Sequence, residues 1–159
     1  MNTMLVHHHH WHGPLRFVVA LSLALACVEA QAQGVHEQRE GEYLLRVSTV
    51  ASEHLSAEAA RANGIEPSRT RAVLNVLVLH GDKTPPNPVR AAVRASIVDL
   101  GGNSRPIEMR EVTAGEGGIS YIGAYTFAPR EVLDYNIVAE PEGSSRQISL
   151  SYRERMWLP

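Results

Sequence analysis

The sequence has little cysteine, little lysine and no excess of charge of either sign. Cys27 is the only cysteine in 159 residues, and it lies in a segment that we expect to be removed. The mature chain is therefore predicted to have no disulfide, thiolate nucleophile or cysteine metal ligand. The formal net charge is -2 at pH 7, so composition indicates no basic surface for nucleic acid or anionic lipid. Stability must come from packing alone.

The chain also lacks an apolar run that is long enough to span a bilayer comfortably. Its longest run, residues 17–28, has about a dozen residues, the length of the central region of a secretory signal. Arg16 precedes this run, and Ala30-Gln31-Ala32 follows it in the small-x-small pattern of a cleavage site. We therefore predict a signal peptide over residues 1–32, cleavage between Ala32 and Gln33, and a periplasmic or secreted mature chain without a transmembrane helix.

Two features of this leader leave an alternative open. Cys27 follows Ala24-Leu25-Ala26, which is similar to the end of a lipoprotein signal, although Leu25 stands one position too late. The alternative is therefore that the protein is a lipoprotein, anchored to a membrane at Cys27. A histidine cluster, residues 7–10, could bind a metal, but it precedes the cleavage site and would be lost with the signal.

The most apolar stretch of the mature chain is Ala72–His80, in which six of nine residues are Val or Leu. Val favours a pleated strand, and a continuous apolar run of this length is typical of a strand that is buried on both faces. Burial of six such side chains would contribute on the order of 9–18 kcal/mol as an upper bound. We expect the rest of the fold to pack around this strand.

Alternation of apolar and polar residues predicts about seven strands in all. They cover residues 42–50, 70–80, 89–97, 107–112, 119–127, 134–140 and 146–157. One short helix is predicted to begin after Ser56, a suitable N-cap, and to stop at Asn63-Gly64. Residues 33–41 are polar and are predicted to be a flexible arm. This pattern predicts an all-β fold, an antiparallel two-sheet immunoglobulin-like sandwich with one short helix, in a single domain over residues 42–158.

Five segments together form a recognisable pattern: Gly41–Tyr43, Leu55–Ile65, Ser68–Leu79, Ile107–Glu111 and Tyr121–Phe127. This pattern resembles one known family, DUF4426. The resemblance covers residues 38–158, and its most specific part is Arg71-Ala-Val-Leu-Asn75. Members are small exported proteobacterial proteins with no assigned function. The resemblance implies a secreted β-sandwich, and it supplies no catalytic or ligand residues.

Asn75 interrupts the apolar strand, and we consider it as a site residue for that reason. A buried amide without partners costs about 1–3 kcal/mol, so it should be hydrogen-bonded. We predict that Asn75 is a structural clamp on the backbone of the excursion over residues 55–69. The alternative is that Asn75 anchors a ligand.

Imidazole and thioether side chains suit copper, so a periplasmic copper site has to be considered. The candidate ligands are His36, His54, His80, Met109 and Met156. They lack local metal-ligand spacing such as His-x-His or Met-x-x-Met, so we predict neither a metal site nor another cofactor. Scattered surface histidines and gap-filling methionines explain them more simply.

No catalytic residues are predicted. The chain has no Gly-x-Ser-x-Gly elbow, and Gly115-Glu-Gly-Gly118 is not followed by a helix that could hold a phosphate. Glu131 and Asp134 are near in sequence, but no cleft is indicated around them. Arg90 and Arg94 share a strand face, which is more typical of a solvated sheet face than of an anion-binding stripe.

Two hypotheses for function remain. The first is a non-enzymatic envelope protein that binds an unknown partner protein, and the alternative is a periplasmic protein that binds a metal or another small ligand. An exposed apolar edge or patch would favour the first. His80 beside either methionine would favour the second.

Overall fold

Two antiparallel sheets face each other in this computed structural model, which describes residues 34–81, 87–114 and 118–157. The strands are β1 (His36–Glu40), β2 (Tyr43–Ala51), β3 (Arg71–His80), β4 (Asn87–Pro88), β5 (Ala91–Asp99), β6 (Ser104–Ile107), β7 (Arg110–Ala114), β8 (Gly118–Thr126), β9 (Val132–Pro141) and β10 (Ile148–Arg155). One sheet has six strands in the order β1-β2-β3-β8-β7, with β4 also paired to β3. The other has four strands in the order β10-β9-β5-β6. The predicted antiparallel two-sheet sandwich is therefore confirmed, with ten strands in the described residues rather than about seven.

The core lies between the sheets and is built from one face of each long strand. On β3, Leu74, Val76 and Val78 are fully buried, and they alternate with residues that face the other way. They pack in one cluster with residues of the opposite sheet such as Tyr135 and Ile137 of β9. β3 lies between β2 and β8, so the apolar stretch does occupy the middle of its sheet.

The predicted flexible arm is wrong over His36–Glu40, which forms β1 and pairs with β2 along its whole length. The segment is polar because it is an edge strand that faces solvent, and edge strands often carry charge. An ion pair between Glu37 and Arg46 of β2 crosses the ladder at 2.6 Å. Low apolar content was therefore a poor guide to order at this edge.

The predicted strand over residues 107–112 is divided between the two sheets. Ile107 ends β6 in one sheet, and Arg110 begins β7 in the other. The crossing segment passes over Gly123 of β8, where a Cβ would lie 2.9 Å from the carbonyl oxygen of Glu108 and 2.7 Å from the Met109 sulfur. Only a residue without a side chain leaves room for this crossing.

The helix prediction is confirmed as α1 (Ala57–Ala62), which follows a 3-10 turn (Ser52–His54). Ser56 is the N-cap, and its hydroxyl accepts a hydrogen bond from the Ala59 N–H at 3.0 Å. Gly64 follows the helix at φ +59°, the left-handed conformation that ends many helices.

Candidate ligand site between the sheets

Asn75 does not make the clamp that was predicted for it. It alternates with the buried core residues Leu74 and Val76, so its side chain lies on the outer face of the sheet. Its Oδ1 is buried and has no hydrogen-bond partner in the described part of the chain. The 55–69 excursion is held instead by Ser52, whose hydroxyl donates to the Ser68 carbonyl at 3.0 Å and accepts from the Ser68 N–H at 2.9 Å.

The five candidate metal ligands fall at four different places. His80 lies beside Glu42, with Nε2–Oε2 at 3.4 Å, and beside the ring of Tyr43, so it does not meet a methionine. His54 ends the 3-10 turn. Met109 lies in the crossing segment near Gly123. Only His36 and Met156 approach one common set of side chains, which is described next.

We call this set the tyrosine cluster. Its members come from five strands and from the residue that follows β10, and they lie at the same end of the space between the sheets. They are His36 (β1), Thr49 (β2), Tyr125 (β8), Tyr135 (β9), Tyr152 and Glu154 (β10), and Met156. Tyr152, Glu154 and Met156 are two residues apart, so the strand period places them on one face.

The rings of the cluster run from the sheet edge into the core. His36 stacks on Tyr152 with ring centroids 3.7 Å apart, and Tyr152 stacks on Tyr135 at 4.6 Å. Tyr125 meets Tyr135 edge to face at 5.9 Å. The Tyr135 hydroxyl donates to the Met156 sulfur at 3.2 Å, and the Tyr125 and Tyr135 oxygens are 2.5 Å apart, so Tyr125 donates to Tyr135.

Burial controls the protonation of these groups. It raises the pKa of the phenols of Tyr125, Tyr135 and Tyr152 well above the ordinary range, and the negative charge of Glu154 raises all three further. Burial also raises the pKa of Glu154 and lowers that of His36. The phenols therefore remain neutral hydrogen-bonding groups at physiological pH.

Three buried polar atoms of the cluster have no hydrogen-bond partner among the described residues. They are Thr49 Oγ1, Tyr152 Oη and Glu154 Oε2. Thr49 is only 4% exposed, and its side chain lies near the phenols of Tyr125 and Tyr152 without a well-aligned hydrogen bond to either. Each such atom costs about 1–3 kcal/mol when it stays unpaired. A water or another polar group from outside the chain that reached these atoms would remove this cost.

The other residues that were weighed from sequence are engaged at the surface. Glu131 pairs with Arg105 at 3.1 Å and Asp134 with Arg153 at 2.6 Å. The remaining pairs are Arg90–Glu111 at 3.2 Å and Arg94–Glu140 at 2.7 Å. The arginine stripe is therefore neutralised by the protein's own carboxylates, as expected for a solvated face.

Sequence reasoning missed Glu154 and Tyr152. The available signal was the alternation of side chains along the last strand. One face of that strand carries Ile148, Leu150, Tyr152, Glu154 and Met156, and the first two are apolar. An acidic residue on that face conflicts with the apolar pattern of a core-facing strand, and positions that break such a pattern often belong to functional sites.

Three sequence predictions fall outside the described residues. They are the cleavage site between Ala32 and Gln33, the alternative anchor Cys27, and most of the Gly115–Gly118 turn. Among the described residues, no helix is long and apolar enough to cross a membrane. The same residues contain no group of three His, Cys, Asp or Glu side chains that could hold a metal ion.

Comparison with known families and structures identifies a family. The family described as "Domain of unknown function (DUF4426)" matches residues 37–158. A DUF4426 family protein from Pseudomonas aeruginosa is 29% identical, with a TM-score of 0.69 over 80% of this chain and 98% of that chain. No curated protein matches the chain.

More distant structures share the fold only. One is a copper-bound variant of FetP from uropathogenic Escherichia coli, 8% identical, with a TM-score of 0.57 over 78% of this chain and 95% of that chain. The other is FetP as isolated after expression in the periplasm, 7% identical, with a TM-score of 0.56 over 78% of this chain and 94% of that chain. Identities this low support the architecture and no individual site residue.

Proposed function

The chain belongs to the DUF4426 family, and from that premise we propose that it is an exported, non-enzymatic protein of the cell envelope that binds a small ligand at the tyrosine cluster. The single observation that carries this proposal is that three buried atoms of the tyrosine cluster, Thr49 Oγ1, Tyr152 Oη and Glu154 Oε2, have no hydrogen-bond partner among the described residues. Native proteins rarely leave buried polar atoms without partners, so three such atoms in one cluster call for partners from outside the described residues. A ligand between the sheets would supply these partners.

Binding of a partner protein is the weaker of the two hypotheses. Among the described residues, only two large apolar side chains are strongly exposed, Val35 at 53% and Leu100 at 70%. Two side chains are too few for the contiguous patch of several hundred Å² that marks a protein interface. The His80–methionine contact is absent too, so support for ligand binding comes from the cluster instead.

The architecture and the leader add support of a general kind. FetP, which shares the fold, has been solved with copper bound, so a sandwich of this kind can carry a metal ion. FetP was also expressed in the periplasm, which agrees with the signal peptide that the first 32 residues of this sequence predict.

Export is tested by mass spectrometry of the protein that is recovered from periplasmic extract. We expect the mature N-terminus at Gln33. A chain that begins at a lipid-modified Cys27 would contradict cleavage after Ala32 and would place the protein on a membrane surface.

Ligand binding is tested by thermal unfolding of the processed protein against a panel of amino acids, sugars, carboxylic acids and metal salts. We expect at least one compound to raise the melting temperature of the parent. Thr49→Val should abolish that rise, because it removes a buried hydroxyl at nearly constant volume. Thr126→Val is the matched control, since Thr126 is exposed at the end of β8, and it should respond like the parent. A rise that Thr49→Val leaves intact would refute the site.

A further inference from the structure

We propose that two copies of this chain associate through the edge strand β1, which pairs with β1 of the second copy in antiparallel register about Gln38. The pairing joins the two six-stranded sheets into one continuous sheet across a twofold axis. This inference goes beyond the proposed function and does not depend on it. The tyrosine cluster lies between the sheets of one chain, whereas the pairing uses backbone groups at the outer edge.

The first step of the argument is the open side of β1. The strand lies at one end of its sheet, and β2 is its only hydrogen-bonded neighbour among the described strands. Its residues 37–40 are all exposed. An edge strand of this kind presents a row of N–H and C=O groups that can pair with a strand of another chain.

The second step identifies the backbone groups on that open side. The Gly81 N–H donates to the Glu42 carbonyl at 2.9 Å, and hydrogen-bonded positions alternate along an antiparallel pair, so the even-numbered residues of β2 bond to β3. The odd-numbered residues of β2 therefore bond to β1, and they lie opposite the even-numbered residues of β1. Glu37 and Arg39 consequently direct their backbone N–H and C=O groups away from β2.

The third step is the charge of these two residues. In the register about Gln38, Glu37 lies opposite Arg39 of the second copy, and the twofold axis repeats the same pair on the other side. Opposite charges that lie directly across an antiparallel ladder stabilise it. Glu37 already pairs with Arg46 at 2.6 Å through one carboxylate oxygen, and a carboxylate can accept several hydrogen bonds. Charge on an edge strand deters pairing where like charges meet, but here opposite charges meet.

The other strands at the ends of the two sheets lack this complementarity. β6 contains Pro106, which has no N–H to donate to a ladder. β7, if it were paired with itself about its centre, would place Glu111 opposite Thr113. β10 in the same arrangement would place Leu150 opposite Arg153. Among these end strands, β1 is therefore the one whose charges match those of a second copy.

One exposed apolar side chain also lies beside this edge. Val35 is 53% exposed and comes directly before β1. In the same register it lies opposite Gly41 of the second copy, which has no side chain to obstruct the approach. The contact is nevertheless short, well below the area of about 1,000 Å² that a stable complex needs, so we expect a weak dimer.

The test is sedimentation of the processed protein at concentrations from about 1 μM to about 1 mM, the range in which weak dimers dissociate. We expect a monomer–dimer equilibrium that salt weakens. Arg39→Glu should weaken dimerisation at least about tenfold, because both symmetric pairs become repulsive. Arg61→Glu is the matched control, since it changes the net charge equally on α1, where the Arg61 Nε–H donates to the Ala57 carbonyl of its own helix. It should dimerise like the parent.

A charge-swap experiment separates specific pairing from a loss of folding. Glu37→Arg alone should also be monomeric, but an equimolar mixture of Glu37→Arg and Arg39→Glu should associate, because a basic strand then meets an acidic one. Circular dichroism verifies that each variant is folded. Hydrogen exchange gives a further readout: the Glu37 and Arg39 amides should gain protection as concentration rises, whereas the Gln38 amide is protected throughout by β2.

Three results would overturn the inference. They are a parent that stays monomeric at about 1 mM, a dimer that Arg39→Glu leaves intact, and a mixture of the two charge variants that does not associate.

Discussion

Replacement of Ser52 by alanine should destabilise the protein markedly, although the change removes one oxygen atom. Ser52 is fully buried, and its hydroxyl holds both backbone groups of Ser68, at 3.0 Å and 2.9 Å. Ser52→Ala leaves the part-buried Ser68 N–H without its partner, and it leaves the Ser68 carbonyl with only the longer bond from the Arg71 N–H at 3.4 Å. We expect a loss of about 1–3 kcal/mol in the free energy of unfolding, the usual cost of an unsatisfied buried polar group.

The assay is urea unfolding together with thermal unfolding. For a domain of this size a loss of 1 kcal/mol lowers the melting temperature by about 4 °C, so the expected decrease is about 4–12 °C. Ser145→Ala is the matched control, since Ser145 is exposed and makes no side-chain hydrogen bond among the described residues. It should change stability by less than about 0.5 kcal/mol.

Hydrogen exchange gives a second readout that localises the effect. The Ser68 amide should be protected in the parent and should exchange faster in Ser52→Ala, while amides of β9 keep their relative order. If Ser52→Ala is as stable as Ser145→Ala, the excursion is not held by this serine and the reasoning is wrong.

Three further predictions follow from single residues. Asn75→Leu should raise the free energy of unfolding, measured in urea, by about 1 kcal/mol, because it removes an unpaired buried oxygen. A decrease of similar size would instead show that Asn75 is a structural clamp. Gly123→Ala should lower the free energy of unfolding by about 1–3 kcal/mol in the same assay, since the new Cβ would lie 2.9 Å from the backbone oxygen of Glu108. An unchanged unfolding midpoint would contradict the proposed crossing of residues 107–110 over Gly123. Hydrogen bonds from Asn103 lower the pKa of Asp99. The stability that ionised Asp99 contributes is therefore present above the ordinary aspartate pKa, and it is lost as pH falls through the lowered pKa of the folded protein. NMR titration should show that the pKa of Asp99 rises in Asn103→Ala.

The sequence predicted the regular elements well where side chains alternate. The faces of β5 and β8 follow from period-2 patterns, because a strand turns successive side chains to opposite sides. The helix from Ala57 to Ala62 was equally predictable, since the hydroxyl of Ser56 and the left-handed conformation of Gly64 act locally. The family resemblance over residues 38–158 was also available before any coordinates and is confirmed.

Elements that depend on a neighbour were not predictable in this way. The polar residues of β1 give no apolar signal, and their order comes from backbone pairing with β2. The division of residues 107–112 between two sheets depends on the space left by Gly123, which belongs to a strand later in the chain. Both features are consequences of contacts that a local pattern does not contain.

The candidate site, too, was predictable from the sequence in some respects and set by tertiary contacts in others. Periodicity by itself determined the β-sandwich, because alternation repeats within each strand, and the first 32 residues predict export. Tertiary structure alone decided that His36 and Met156, near opposite ends of the described residues, both contact the tyrosine cluster. It also decided that Glu154 Oε2 is buried without a partner among those residues. The physical reason is that β1 pairs with β2 in one sheet and β10 pairs with β9 in the other, which brings the first and last strands to the same edge of the sandwich. Contacts between strands so far apart along the chain are set by the whole fold.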